Sequence, residues 1–364
     1  MISRPPFCAS RAWLGALALV SLAYAAGGCG SGPAKPAVDA ARTADTPADA
    51  AELLPPAYEA ALPEGVRAIM FAPFTGDLDQ MLERRLIRVG TTFNRTFYFV
   101  DKGVQRGMAY EMGQAFEEHL NKKLKTTNAT KVSVLFVPLP RDMLGKALTE
   151  GKVDLVAAQV IIRPELQAIV DFTKPTRTNI SEVVVTGPGA PAIGSVDDLS
   201  GKDVYARKDS SAWESLVALN QTLKAKGRPP VVIREVPGNL EDDDLLEMVN
   251  AGLIPTVVVQ DYLAEFWKQV FTNITIHETV AVRTGASLAV AIRKESPRLK
   301  AELDAFLSKF GVGTAFGNVL AKRYLESTAF VTQAASEAER KKFLELAALF
   351  KKYGEQYQMD YLLM

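Results

Sequence analysis

Residues 151–175, GKVDLVAAQVIIRPELQAIVDFTKP, decide how the rest of the chain is read. Residues 153–162 form a largely apolar run rich in β-branched side chains, closed by Gly151 before it and Pro164 after it. An apolar run without strict alternation is the mark of a strand covered on both faces, as in parallel sheets flanked by helices. Just upstream, residues 132–137 are expected to form a strand and 141–150 a helix. Further upstream the same alternation gives a strand at 86–93 (LIRVGTTF) and a helix at 107–120 (GMAYEMGQAFEEHL). Downstream a second series follows, with strands at 183–185 and 203–206, a helix at 212–226 and a strand at 231–236. A helix at 240–250 and a strand at 256–259 complete it. An apolar strand at 287–292 and a helix at 297–310 come last. Strands alternating with helices build βαβ units. Two such series, with a late strand able to return to the first, predict a bilobal α/β protein with a hinge.

Composition narrows the function classes. With 364 residues and 48% hydrophobic positions the chain can bury a large core, and its length suits two lobes. Lys plus Arg number 42 and Asp plus Glu 42, for a formal net charge of +0, so no basic field for nucleic acid is expected. The two cysteines, Cys8 and Cys29, lie in the first thirty residues, which leaves the body without a disulfide or a thiolate metal site. The two histidines, His119 and His277, have no partner at metal-site spacing and give little material for a catalytic triad. Neither a metal nor a cofactor is expected.

The amino terminus reads as an export leader. Arg4 and Arg11 precede an uncharged apolar stretch, residues 13–26, shorter than the about 20 residues of a comfortable membrane span. The stretch runs into Ala26-Gly27-Gly28-Cys29, which resembles the lipobox of bacterial lipoproteins, although Ala26 stands where those proteins usually have Leu. On that resemblance residues 1–29 are the leader and Cys29 is lipidated, anchoring the chain to a membrane. Gly30 in place of Asp implies delivery to the outer membrane from the periplasmic side. Residues 30–76, rich in Ala, Pro, Asp and Thr in their first half, are expected to be a flexible tether. The folded body is expected to start at Asp77.

Four motifs then resemble the family-3, type II periplasmic solute-binding fold. Gly151-Lys152-Val153-Asp154-Leu155-Val156 is similar to its "G-x-v-D-l" strand start, and Val170-Asp171-Phe172-Thr173-Lys174-Pro175 to the "v-d-F-s-x-P" that closes the first lobe. Val196-Asp197-Asp198-Leu199-Ser200-Gly201-Lys202 resembles the opening of the second lobe, and residues 288–294 (LAVAIRK) its return strand. The resemblance implies a binding domain over 77–328, with lobe I at about 77–180 and 281–328 and lobe II at about 181–280. Residues 350–364, FKKYGEQYQMDYLLM, resemble the opening helix of the lysozyme-like domain in membrane-bound lytic transglycosylase F proteins. That makes 329–364 a helical segment at the start of such a domain. In that family the catalytic glutamate lies just beyond this helix, in a Gln-Glu-Ser segment, so no catalytic residue is assigned. Glu355 beside Lys351 and Lys352 reads as a solvated helix position.

In a type II fold the ligand sits between the lobes, at the carboxyl ends of strands and at helix starts. The loop 94–98 would offer Asn94 as a polar contact and Phe97 and Tyr98 as an aromatic wall; both aromatics read equally well as core or hairpin residues. Asp209-Ser210-Ser211 precede a helix, where Ser210 or Ser211 donates to a ligand carboxylate or simply caps the helix. Relative to amino-acid-binding members, Ile161 stands at the ligand-hydroxyl position, Leu166 at the carboxylate-binding arginine and Gln260 at the amine-binding aspartate. Leucine cannot make the bidentate pairing of a guanidinium. Arg163 lies close enough in sequence to compensate, and Asp261 follows Gln260, where it serves as a ligand contact or a helix N-cap.

Two other motifs read as structure. Gly311-Val312-Gly313-Thr314-Ala315-Phe316-Gly317 follows a helix rather than a strand, so it lacks the dinucleotide-binding context and is expected to link late helices. Glu241-Asp242-Asp243-Asp244 invites a calcium assignment, but with Leu245-Leu246 directly after it fits the first turn of a helix. The expected function is therefore an envelope binding or sensor module for a small molecule, a muropeptide or an amino-acid-like ligand, within a lytic transglycosylase architecture. Incomplete transglycosylase and transporter receptor are the competing readings.

Overall fold

The computed structural model describes residues 72–208 and 210–334. The expectations for the leader, Cys29, most of the tether, Asp209 and residues 335–364 lie outside the described residues. Asp77 opens the first helix, α1 (Leu78–Arg84), through a capping box in which Gln80 Oε1 accepts the Asp77 N–H at 2.8 Å. The Asp-x-x-Gln spacing is the signal for this start. Strand β1 (Leu86–Thr91) leads into a hairpin of β2 (Phe99–Asp101) and β3 (Val104–Arg106), turned by Lys102 and Gly103 at φ 50 and 82. Two successive positive φ values are what a tight two-residue hairpin turn demands.

Next come α2 (Met108–Leu124), β4 (Ser133–Pro138), α3 (Arg141–Thr149), β5 (Leu155–Ile161), the one-turn α4 (Pro164–Gln167) and β6 (Val170–Phe172). The long β7 (Arg177–Thr186) leads to β8 (Asp203–Arg207), α5 (Ser211–Ala225), β9 (Val232–Val236), α6 (Asp242–Asn250), β10 (Thr256–Gln260) and α7 (Asp261–Lys268). The 19-residue β11 (Thr275–Arg293), α8 (Pro297–Phe310), α9 (Ala315–Ala321) and α10 (Ala329–Ala334) complete the described chain. The glycine-rich segment 311–317 joins α8 to α9, with Thr314 capping α9.

Nine of the eleven described strands form one sheet in the order β4-β1-β5-β11-β7-β10-β8-β9, with β6 also paired to β11, while β2 and β3 pair only with each other. Pairings are parallel within β4-β1-β5 and within β10-β8-β9. They are antiparallel wherever β7 or β11 takes part. Two parallel α/β units are thus joined through two long crossing strands. Each unit has its own core: Ile87, Val89, Phe136, Leu155, Phe172 and Phe306 belong to the first, and Val204, Leu216, Val257, Leu246 and Trp267 to the second. Ile161, Ile180, Ala286 and Leu288 pack where the crossing strands meet.

The crossing strands depart most from the sequence expectation. Sequence indicated 183–185 and 287–292, whereas β7 begins at Arg177 and β11 at Thr275. Residues 177–182 and 275–287 are polar and partly exposed, so no apolar run marks them. They are strands because they pair with each other, through a ladder with several register shifts.

Candidate functional site

A cavity of ≈ 420 Å³ opens between the two units, with α3 and β5 on one side and the ends of β8 and β10 and the start of α5 on the other. Four expected residues line it: Arg163, Ser210, Ser211 and Gln260. Ile161 and Leu166 also face it as apolar side chains, so the cavity has no arginine at Leu166.

Most polar groups on this wall already have protein partners. Ser210 is the N-cap of α5; its hydroxyl accepts from Trp213 N–H at 3.1 Å and donates to Arg207 O at 2.7 Å. Ser211 donates to the Glu182 carboxylate, which also accepts from Ser215 Oγ at 3.2 Å and Arg283 Nε at 3.0 Å. Burial pushes the Glu182 carboxyl above the usual carboxylate range, while Ser211, Arg283 and Ser215 oppose the rise. Arg163, next to β5, forms an ion pair with Glu214 on α5 across the cavity.

Three side chains that line the cavity each leave one buried polar atom without a hydrogen-bond partner. Gln260, 8% exposed at the end of β10, has its Oε1 unpaired. Arg207, 9% exposed at the end of β8, donates to Leu240 O at 3.0 Å and Asp242 Oδ1 at 2.5 Å, but its Nε–H has no acceptor. Gln159 Nε2 is the third. Gln159 sits in the left-handed region, at φ 51, inside β5, where the register against β11 shifts between Ala289 and Ala291. That is a β-bulge, a device that re-aims a side chain. Gln159 lines both the main cavity and a smaller apolar one of ≈ 120 Å³, where Phe97 and Tyr262 stand. Buried polar atoms are nearly always paired, so a set left open on one cavity marks a place for a ligand's groups.

The other expected contacts have protein partners away from the main cavity. Asn94 Oδ1 accepts from Thr96 N–H at 3.2 Å and Phe97 N–H at 2.7 Å, so this side chain shapes its own loop. Tyr98 lies in the first core, stacked on Phe136 at 5.4 Å, with its hydroxyl donating to Gln105 Oε1 at 2.8 Å. Asp261 Oδ2 accepts from Ser181 N–H at 2.8 Å and Oδ1 from Tyr262 N–H at 2.8 Å, tying the start of α7 to β7. None of the three is among the residues that line the main cavity; each is held by backbone or core groups instead. Phe97 borders only the smaller cavity.

One flank of the cleft is closed by ion pairs. Glu241 and Asp244 form a capping box at the start of α6, with Asp244 Oδ2 accepting from Glu241 N–H at 2.8 Å. From the first unit, Arg141 donates through Nε to Glu241 Oε1 at 2.9 Å, pairs with Glu241 Oε2 and is anchored on Ala158 O at 2.7 Å. Arg95 meets Asp243 at 2.9 Å and Glu247 at 2.8 Å, with its guanidinium 4.8 Å from the Trp267 ring centre. Gly238 permits this approach, since a Cβ there would stand 2.7 Å from Asp142 Oδ1. Burial, then the negative charge of Asp243, pushes the Asp244 carboxyl up to about 7. The acidic run therefore faces arginines, and among the described residues no cluster of three or more His, Cys, Asp or Glu side chains is placed to hold a metal ion.

Two parallel α/β units, two crossing strands and a cavity between the units define a bilobal solute-binding fold of type II. Residues 87–312 match the bacterial extracellular solute-binding proteins, family 3, and the chain belongs to that family. Its fold is similar to a putative L-cystine ABC transporter protein from Listeria monocytogenes, with a TM-score of 0.56 at 18% identity over 66% of this chain and 96% of the other. It is also similar to an ancestral amino acid-binding protein, a precursor of cyclohexadienyl dehydratase, with a TM-score of 0.54 at 24% identity over 68% and 99%.

Among curated proteins it is similar to membrane-bound lytic murein transglycosylase F of Aeromonas salmonicida, 24% identical over 276 residues, covering 72% of this chain and 51% of that one. The protein of that name from Ectopseudomonas mendocina is 28% identical over 232 residues, covering 64% and 44%. The chain spans about half the length of these relatives. The matched residues are those of a binding domain, and the family is one of extracellular proteins, which points to the cell envelope. No helix among the described residues is long and apolar enough to cross a membrane.

Proposed function

We propose that this chain is an envelope solute-binding module that serves as the regulatory part of a lytic transglycosylase architecture, taking a small cell-wall peptide or amino-acid-like ligand in its cleft. One observation carries the reading: a cavity of ≈ 420 Å³ between the lobes into which both lobes bring buried polar atoms without partners. The link to murein rests on the name of the curated relatives. In this reading Cys29 carries a lipid anchor to the outer membrane and residues 30–76 are the tether. The lobes divide near residues 180 and 281, β7 and β11 form the hinge, and residues 329–364 begin a lysozyme-like domain. Its chemistry is binding rather than glycan cleavage.

Thermal unfolding against a panel of muropeptides and free amino acids tests the binding. A cognate ligand at a hundredfold excess over its dissociation constant stabilises the native state by about 2.7 kcal/mol. A panel in which no member shifts the transition removes the binding function. The anchor is tested by fractionation: Cys29→Ser is expected to move the protein from the membrane to the soluble fraction, and unchanged membrane association would refute it.

A further inference from the structure

The cleft presents two glutamine amides, one from each lobe, Gln159 and Gln260. An α-ammonium entering the site would bring a full positive charge out of water, at a cost that only a paired carboxylate offsets. The carboxylates nearest the cavity are already engaged. Glu214 faces Arg163, Glu241 faces Arg141, Asp242 faces Arg207, and Glu182 holds Ser211, Ser215 and Arg283. Among the described residues Asp142 alone lines the cavity as an acid, and it is exposed on the first turn of α3.

What the interior does offer is neutral and bidirectional. Gln260 Oε1 is an acceptor without a donor, and Gln159 Nε2 a donor without an acceptor. One secondary amide answers both, because its N–H donates and its C=O accepts. The anion side is equally defined. The unpaired Arg207 Nε–H lies beside Lys208 at the start of α5, where the helix dipole is positive.

We infer that the cleft selects carboxylic acids whose amine is acylated, an N-acyl amino acid or the acid end of a peptide, reading the amide through Gln159 and Gln260 and the carboxylate at Arg207 and the start of α5. The inference rests on the solute-binding reading and narrows it. It also fixes the orientation of the ligand: the acid lies against the second lobe and the amide bridges the two lobes.

The test uses the smallest side chain, so that fit around the methyl group does not decide the result. Calorimetry on the full chain compares N-acetyl-alanine and N-acetyl-alanyl-alanine with alanine and N-acetyl-alanine amide, and a muropeptide mixture serves as reference. The N-acetyl acids are expected to bind at least about tenfold more tightly than either alanine or N-acetyl-alanine amide, the size of one well-made hydrogen bond. Gln260→Glu, which keeps shape and adds a charge, is expected to reverse the preference toward alanine. Gln159→Glu is expected to weaken the N-acetyl acids by a similar factor. The ligand-free melting temperature of each variant separates lost binding from lost folding.

Alanine binding as well as the acetylated acids, or Gln260→Glu leaving the preference unchanged in a folded protein, would overturn the inference and leave the solute-binding function standing. The same holds if the muropeptides bind while both N-acetyl acids fail, or if they bind equally to the wild type and both variants. Absence of binding by every probe and by the muropeptides would remove both readings.

Discussion

Asp154 and Asp171 are two aspartates of one stretch of sequence, and the structure gives them opposite weights. Asp154 is 0% exposed and accepts from Arg88 N–H at 2.7 Å, Arg88 Nη2 at 3.1 Å and Arg84 Nη2 at 2.5 Å, with Arg293 at 3.7 Å. One carboxylate thus holds together three guanidiniums from α1, β1 and the end of β11. Removing the charge leaves buried cations without a counterion, which costs about 3–5 kcal/mol. Asp171 pairs with Lys300 at 3.0 Å with nearly half of its side chain in water. Such a pair contributes at most about 1 kcal/mol. Denaturant unfolding is expected to place Asp154→Asn well below Asp171→Asn; equal stabilities would show that the arginine cluster relaxes at little cost. The sequence marks Asp154 as a position in a strand motif, but its partners span residues 84–293, and no local pattern announces them.

At the scale of elements, α6 shows what a charge run can hide. Its four acids were legible as a first turn, and Glu241 and Asp244 do form the capping box. The facing Arg95 and Arg141 come from loops and helices a hundred or more residues away, so the run's second task was not legible. Asp244 lies among Glu241, Asp243 and Glu247, with Arg95 3.9 Å away, and its carboxyl is pushed up to about 7 from an ordinary 3.8. A carboxyl raised in the folded state binds its proton more tightly there than in the unfolded chain. Its contribution to stability is therefore present at low pH and is lost as pH climbs from about 4 through 7. Water reaches 41% of the side chain and moderates the effect. Asp244→Asn keeps an oxygen for the Glu241 N–H and removes the titration. It is expected to melt with the wild type at pH 4 and above it at pH 8; a variant less stable at pH 8 would show that the charge on the helix start and Arg95 outweighs the crowding.

For the whole molecule, the ion pairs across the cleft set the resting state. Arg95 and Arg141 grip α6, Arg163 grips α5, and β7 and β11 are the covalent crossings. The double substitution Arg95→Ala, Arg141→Ala is expected to raise the radius of gyration of the ligand-free protein in small-angle scattering while its circular dichroism stays unchanged. An unaltered radius would mean that apolar contacts such as those around Ile161 and Leu288 keep the lobes together.

The sequence by itself determined the two α/β series, with the five longest described helices and most of the buried strands, because apolar period and capping residues act within a few positions of each other; short elements such as α1, α4 and β6 escaped it. Set beside the amino-acid-binding members it resembles, the sequence also led us to expect departures at Leu166 and Gln260, since a missing charge can be read without coordinates. Only the tertiary structure decided which side chains face that cleft. Tyr98, Asn94 and Asp261 turned inward because core and backbone partners lay closer, whereas Gln159 turned toward the cavity because a bulge against β11 re-aimed it. Both outcomes depend on pairing between segments far apart in the chain, and that pairing leaves no periodic trace in either segment alone.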